Sequence, residues 1–140
     1  KKINVCTKTF QALRIFVNQE TTELIKGIIK ATKIIKAGGK IIVVSFHSIE
    51  DKIIKFYFTN HSQNKSKSSR YFPEEEKNDI ILFKNYKNRL LTPSKEEIEL
   101  NPPSRSAKLR FAIRNDKDFI HSEEIKIKFK KYLDLESQNA

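Results

Sequence analysis

The chain has 140 residues, 38% of them hydrophobic and 32% charged, which suits a single domain with a modest core. Lys and Arg outnumber Asp and Glu by 28 to 17, a net charge of +11 that points to a polyanionic partner, nucleic acid first, against the plainer reading of codon bias in a Lys-, Ile- and Asn-rich chain. The single cysteine, Cys6, excludes an internal disulfide and a cysteine-built zinc site and makes a reducing cytoplasm the simplest setting. No apolar run approaches the ~20 residues of a membrane-spanning helix, so no membrane partner is expected.

Residues 7–18 read as a helix, with Phe10, Leu13 and Val17 on one stripe, Phe16 flanking it, and Thr7 or Thr9 as cap. Residues 20–36 read as a second, with Leu24, Ile28, Ala31 and Ile35 on its apolar face and Lys36 in its last turn. Gly38 and Gly39 let the backbone leave that helix. Residues 41–44, Ile-Ile-Val-Val, predict a strand buried on both faces, as in a parallel sheet. Ser48 with Asp51 fits a capping pattern opening a third helix to about residue 59, with Ile49, Ile53 and Phe56 inward. Residues 60–78 form a long polar surface loop anchored by Tyr71, Phe72 and Pro73. Residues 80–84 predict a strand that 86–91 continue or pair with. A second capping box at Ser94 opens a short helix to about residue 100, which Pro102 and Pro103 end.

Residues 107–114 alternate Ala107, Leu109, Phe111 and Ile113 with Lys108, Arg110 and Arg114, which predicts a strand with one wet face. Ile125, Phe129, Tyr132 and Leu133 mark a C-terminal helix, frayed over 137–140. The order of elements suits an α/β sheet ending in an antiparallel edge pair, made by the strands of 80–91 and 107–114. With no methionine and a start almost directly in a helical pattern, the chain is expected to be a piece of a longer protein.

Ser45, Phe46, His47 and Ser48 follow the carboxyl end of the first strand, where open α/β sheets bind ligands. His47 could orient or accept a proton from a substrate amine or hydroxyl, or simply satisfy nearby backbone. Ser45 could bond a ligand or merely end the strand. Ser48 is most simply a cap, and Glu50 and Asp51 suit the first turn of a helix electrostatically. Arg105, Lys108 and Arg110 follow the rigid Pro-Pro turn and could contact phosphates, or form an ordinary basic edge strand; Arg105 is best placed for exposure. Thr7, Lys8, Thr9 and Arg14 make a second basic patch. Tyr71 could stack on a base, though a loop anchor is the simpler role. Gly27, Gly38 and Gly39 are the only glycines, so no phosphate-cradling glycine loop exists here.

Three stretches together resemble the ribosomal RNA small subunit methyltransferase H family: Thr-Lys-Thr-Phe-Gln-Ala-Leu-Arg-Ile-Phe-Val-Asn from Thr7, Ala-Gly-Gly-Lys-Ile-Ile-Val-Val-Ser-Phe-His-Ser-Ile-Glu-Asp-Lys from Ala37, and Asn-Pro-Pro-Ser-Arg-Ser-Ala-Lys-Leu-Arg from Asn101. They stand in the family's order at about its spacing and cover residues 3–115. The resemblance implies an S-adenosylmethionine-dependent class I methyltransferase acting on the exocyclic N4 amine of a cytidine in small-subunit ribosomal RNA, free or in the assembling 30S subunit. It implies the C-terminal part of a Rossmann-like sheet over residues 1–115, followed by a helical extension over 116–140. The fifth strand would span 40–46, and the sixth and seventh would lie around 80–91 and 107–114.

On this reading Ser45, His47 and Asp51 help form the target pocket, with His47 the leading contact to a flipped base. Arg14, Arg105, Lys108 and Arg110 hold RNA. The cofactor motifs of the family have no counterpart here, so its cofactor residues are expected outside this chain, and this chain alone is expected to be inactive. Asn4-Val5 stands where the family usually has His-Pro, Lys8 and Lys52 where it has Arg, and Pro103 where it has Arg. The competing class is a non-catalytic basic RNA-binding or ribosome-associated fragment, which would bind RNA but no cofactor.

Overall fold

The computed structural model describes residues 5–62, 80–84, 86 and 90–138. Its centre is a two-stranded antiparallel sheet. β1 (Lys40–Ser45) pairs with β2 (Lys108–Ile113), from Lys40 opposite Ile113 to Ser45 opposite Lys108. Two helices precede β1: α1 (Val5–Val17) and α2 (Glu20–Ile34). Gln19 joins them in the left-handed region at φ 50°. Gly38, at φ 80°, turns the chain out of α2 toward the sheet, a conformation that costs any residue with a Cβ. Gly39 answers a different need: a Cβ there would lie 2.5 Å from Ile35 Cγ1.

After β1 come α3 (Ser48–Asn60), α4 (Lys95–Leu100), a 3₁₀ turn (Pro102–Ser106), β2, α5 (Glu124–Lys128) and α6 (Lys130–Ser137). Ser94 Oγ accepts the Glu97 N–H and starts α4, the serine half of the predicted capping box. The C-terminal helix breaks in two at Phe129, whose φ of −108° departs from helical geometry. The expected fraying falls partly outside the described residues, with α6 running to Ser137.

The core lies between one face of the sheet and helices α2, α3 and α5. Ile53, Ile54, Tyr57 and Phe58 recur at helical spacing on α3 and are buried with Ile25, Ile28, Ile41, Ala112, Ile125 and Phe129. Phe83 inserts its ring edge-on against Phe58 at 5.2 Å and against Tyr57 at 5.9 Å. Each fully buried aliphatic or aromatic side chain of this kind stabilises the fold by about 1.5–3 kcal/mol.

Several expectations are corrected. The stripe of Phe10, Leu13 and Val17 on α1 faces outward, at 70%, 53% and 61% exposure, and Ile15 is the buried residue. The apolar period is there, but the inward side of α1 is the one carrying Gln11 and Ile15, one helical turn apart, with Gln11 half-buried. On α2 the inward face is Thr21, Ile25, Ile28 and Thr32, rotated from the one predicted. Two threonines sit there because their polar groups are satisfied: Thr32 Oγ1 bonds the Ile28 carbonyl at 2.7 Å, and the Thr21 N–H bonds Glu136.

β1 is covered on one face only, since Ile41 and Ser45 are buried while Ile42 and Val44 are open. β2 inverts its expected faces. Arg110, Ala112 and Arg114 point inward, and Leu109, Phe111 and Ile113 are half-buried. The two arginines can be buried because their donors are used: Arg114 bonds the carbonyls of Thr32, Leu82 and Lys117 at 3.3, 2.9 and 2.7 Å.

Of the predicted strands at 80–84 and 86–91, the described residues make isolated bridges and no named strand, and residues 85 and 87–89 lie outside the described residues. Phe83 bridges Ser62 and Arg114, and Leu91 bridges Leu109, as isolated pairs. The expected antiparallel pairing of 80–91 with 107–114 is present in part, as the bridges Phe83–Arg114 and Leu91–Leu109, while the continuous antiparallel ladder is β1 with β2. The predicted polar loop, with Tyr71, Phe72 and Pro73, lies almost wholly outside the described residues, as does Asn4.

Candidate functional site

The chain passes from β1 into α3 through Phe46 and His47, and the side chains there lock the turn. His47, not Ser48, is the N-cap of α3: its Nδ1 accepts the Glu50 N–H at 3.4 Å. Glu50 answers by accepting the Phe46 and His47 N–H groups at 3.0 and 3.4 Å. This is a capping box set one residue earlier than the Ser48–Asp51 pattern predicted. The shift frees Asp51 from the cap and turns it toward β2.

Asp51 meets Arg110 in a two-toothed pair, Nε to Oδ1 at 2.7 Å and Nη2 to Oδ2 at 3.3 Å. Lys108 Nζ adds a contact to Oδ2 at 3.3 Å, and Tyr86 Oη accepts from Arg110 Nη1 at 3.2 Å. The side chains of Arg110 and Asp51 are 6% and 12% exposed, so this is a buried ion pair between α3 and the sheet. The Arg110 hydrogen bond holds the Asp51 carboxyl below its ordinary range, against the opposing effect of burial, with Lys108 assisting. A carboxylate so held is a weak base, poorly suited to taking a proton and well suited to fixing the positions of two cations.

Ser45 is buried, and its Oγ donates to the Lys108 carbonyl at 3.4 Å across the β1–β2 ladder. Ser45 and Asp51 thus both meet Lys108, and Asp51 also meets Arg110, while His47 faces Glu20 and Glu50. Arg110, expected on a wet face where a phosphate could reach it, is instead buried and committed to Asp51 and Tyr86. Arg105 is exposed at the end of the 3₁₀ turn, and Lys108 is partly exposed. Arg14 is exposed too, but it pairs with Glu20 at 2.8 Å.

Glu20, which sequence reasoning passed over, joins the site from the start of α2. His47 Nε2 lies 3.3 Å from Glu50 Oε1 and 3.8 Å from Glu20 Oε2, and ligand atoms of the three residues fall within 4.8 Å of one another. Nε2 is buried and makes no hydrogen bond. Because Nδ1 accepts the Glu50 N–H, the ring proton sits on Nε2. His47 therefore presents a donor to two carboxylates, not a lone pair to a cation. Tyr86 was also missed; as the first residue of 86–91, read as strand, it carried no signal of its bond to Arg110.

Comparison with known proteins gives the class first. Residues 1–115 match a family model of methylases. The chain belongs to the MraW methylase family. It is 45% identical over 122 residues to the ribosomal RNA small subunit methyltransferase H of Bartonella bacilliformis, covering 87% of this chain and 36% of that protein. It is 45% identical over 113 residues to the protein of the same name from Agrobacterium fabrum, covering 81% and 33%, and 42% identical over 112 residues to that of Hyphomonas neptunium, covering 80% and 33%. The chain spans about a third of the length of these curated relatives. Among the described residues no helix is long and apolar enough to cross a membrane.

Proposed function

We propose that this chain is the substrate-facing part of an S-adenosylmethionine-dependent enzyme that methylates the N4 amine of a cytidine in small-subunit ribosomal RNA. The observation that carries the reading is its 45% identity over 122 residues to a protein named for methylating that RNA. The net charge of +11 suits a polyanionic substrate.

The glycines of this chain do not fit a cofactor cradle. Gly39 makes room for Ile35, and Gly38 supplies a turn. The reading therefore assigns S-adenosylmethionine to residues outside this chain, and the part played by these residues is with the RNA. A cytosine amine is a poor nucleophile because its lone pair is conjugated with the ring, so holding it in place is the larger task. His47 is the reading's leading contact to the base edge, and it makes that contact by turning Nε2–H away from Glu50 and Glu20, against which it is buried in this structure. Ser45 and Asp51 support it, the first by closing the strand end and the second by holding Arg110 and Lys108. Arg105, Lys108 and Arg14 face the RNA backbone. Arg110 acts through Asp51 and does not touch phosphate.

The test is a chimera in which this chain replaces the matched segment of the Bartonella bacilliformis relative. It should transfer labelled methyl groups from S-adenosylmethionine to small-subunit ribosomal RNA, and mass spectrometry should find N4-methylcytidine. His47→Asn, which keeps a capping side chain, should lower transfer about tenfold or more if His47 contacts the base. A folded chimera that binds both cofactor and RNA yet transfers nothing would leave the non-catalytic RNA-binding reading in its place.

A further inference from the structure

α2 begins at a weak joint. Gln19, the residue before it, stands in the left-handed region without the freedom of a glycine, and its side chain makes no cap. A helix start so placed frays unless its first N–H groups find other acceptors. The acceptor comes from α6. Both oxygens of the Glu136 carboxylate are engaged, by the N–H groups of Thr21 and Thr22 and by the Thr22 hydroxyl. Glu136 is 3% exposed, so little water reaches these bonds. It also lies beyond residues 1–115, the stretch that the family model matches.

Glu20 is carried by that same first turn. Arg14 steers its carboxylate from α1, Nε to Oε1 at 2.8 Å, but Glu136 fixes the backbone from which the side chain extends. Glu20 Oε2 stands 3.8 Å from His47 Nε2, with Glu50 Oε1 on the same nitrogen at 3.3 Å. The His47 side chain is 8% exposed, and its Nε2 is enclosed without a hydrogen bond. A buried N–H with no bond of its own gains by reaching a partner as soon as the wall beside it moves.

We propose that Glu136 is a positioning residue for His47: by holding the first turn of α2 it keeps Glu20 across Nε2, and release of that hold opens Nε2 to a ligand. α6 is thereby a latch on the turn that follows β1. The latch rests on the geometry alone. Its use in controlling access to the base rests on the reading of His47 as the base contact.

The three histidines of the chain supply an internal comparison. Diethyl pyrocarbonate acylates a ring nitrogen that has a free lone pair, and peptide mass spectrometry gives a rate for each histidine. In the closed state His47 offers none, since Nδ1 accepts the Glu50 N–H and Nε2 carries the proton. Once Nε2 meets water the tautomers exchange and the ring reacts. In the parent chain the exposed His121 should react fast, and the buried His47 and His61 slowly. Glu136→Gln keeps the shape but removes the charge and one acceptor oxygen. It should raise the His47 rate about tenfold, because the reactivity of a buried group follows the population of its locally open state. Thr22→Val is milder, deleting only the hydroxyl bond to Glu136, and should raise the rate about threefold. Glu20→Ala removes the wall and leaves the latch, and should act as strongly as Glu136→Gln. His61 should stay slow in all three variants. A His47 rate that the variants do not move overturns the proposal, as does a parent rate equal to that of His121. A His61 rate that rises in step with His47 overturns it too, since the chain then opens as a whole and not at the latch. Methyl transfer by the chimera is scored separately. His47 rates that follow the variants in a chimera without transfer support the latch and remove the proposed activity.

Discussion

Glu136, near the end of α6, caps α2 from more than a hundred residues away: its carboxylate accepts the Thr22 N–H at 2.8 Å and the Thr22 hydroxyl at 2.6 Å. The Thr21 N–H joins at 3.0 Å. The residue at the usual capping position, Gln19, gives no side-chain cap. A negative charge at this end also suits the helix dipole.

Glu136→Ala should therefore destabilise the chain by about 1–3 kcal/mol, because it strands backbone donors that Glu136 now satisfies. Urea unfolding would measure this as a lower midpoint with little change in slope. An unchanged midpoint would mean that water replaces the carboxylate.

The Asp51–Arg110 pair sets an acid limb of stability. The folded-state pKa of Asp51 is lowered, so the pair contributes fully above the ordinary Asp pKa, and its contribution is lost as pH falls through the lowered value. Asp51→Asn should remove that limb and cost on the order of 3 kcal/mol at neutral pH, because it leaves a buried guanidinium without its counter-charge. Thermal melts at several acidic pH values and at pH 7 would show both effects. A variant with the parent pH profile would contradict the assignment.

Arg105→Glu should leave folding intact, since the side chain stands in solvent. In the chimera it should weaken binding of small-subunit ribosomal RNA and lower the salt slope by about one. Arg110→Glu should instead unfold the chain, because it sets two carboxylates against each other inside it. Titrations at several salt concentrations, paired with circular dichroism, separate the two kinds of arginine. Equal RNA affinity for the Arg105 variant at every salt would take Arg105 out of the RNA contact.

Much of the local structure was legible in the sequence. The two helices before the first strand, the helix after it, the Gly38 turn, the strand at 41–44 and the Ser94 cap all follow from periodicity and capping chemistry. The faces were harder to read. Counting apolar residues finds Ile28 and the flanking Leu24 and Ile35 of α2 but misses that its buried face is rotated toward Thr21 and Thr32, whose polar groups are satisfied by Glu136 and by the helix itself. The same counting turns β2 inside out. Arg110 and Arg114 are inward because a carboxylate, a phenol and several carbonyls meet them there, and no strand pattern announces those partners. At the site, the residues at the end of β1 were found from the strand–turn–helix pattern. Glu20 and Tyr86 come from distant parts of the chain and left no local trace.

The sequence by itself determined where the backbone turns, which segments are helical, and the family, because those are written in runs of neighbouring residues. Only the tertiary structure decided which face of each element is inside, that β1 pairs with β2, and that His47 caps α3 while Asp51 is released to hold Arg110. Apart from the local His47–Glu50 cap, those outcomes depend on partners from distant parts of the chain, such as Lys108 on Asp51, 57 positions apart, and Glu136 on Thr21, 115 positions apart. Burying a charge or a threonine is favourable only when such a partner arrives, and that depends on the fold as a whole.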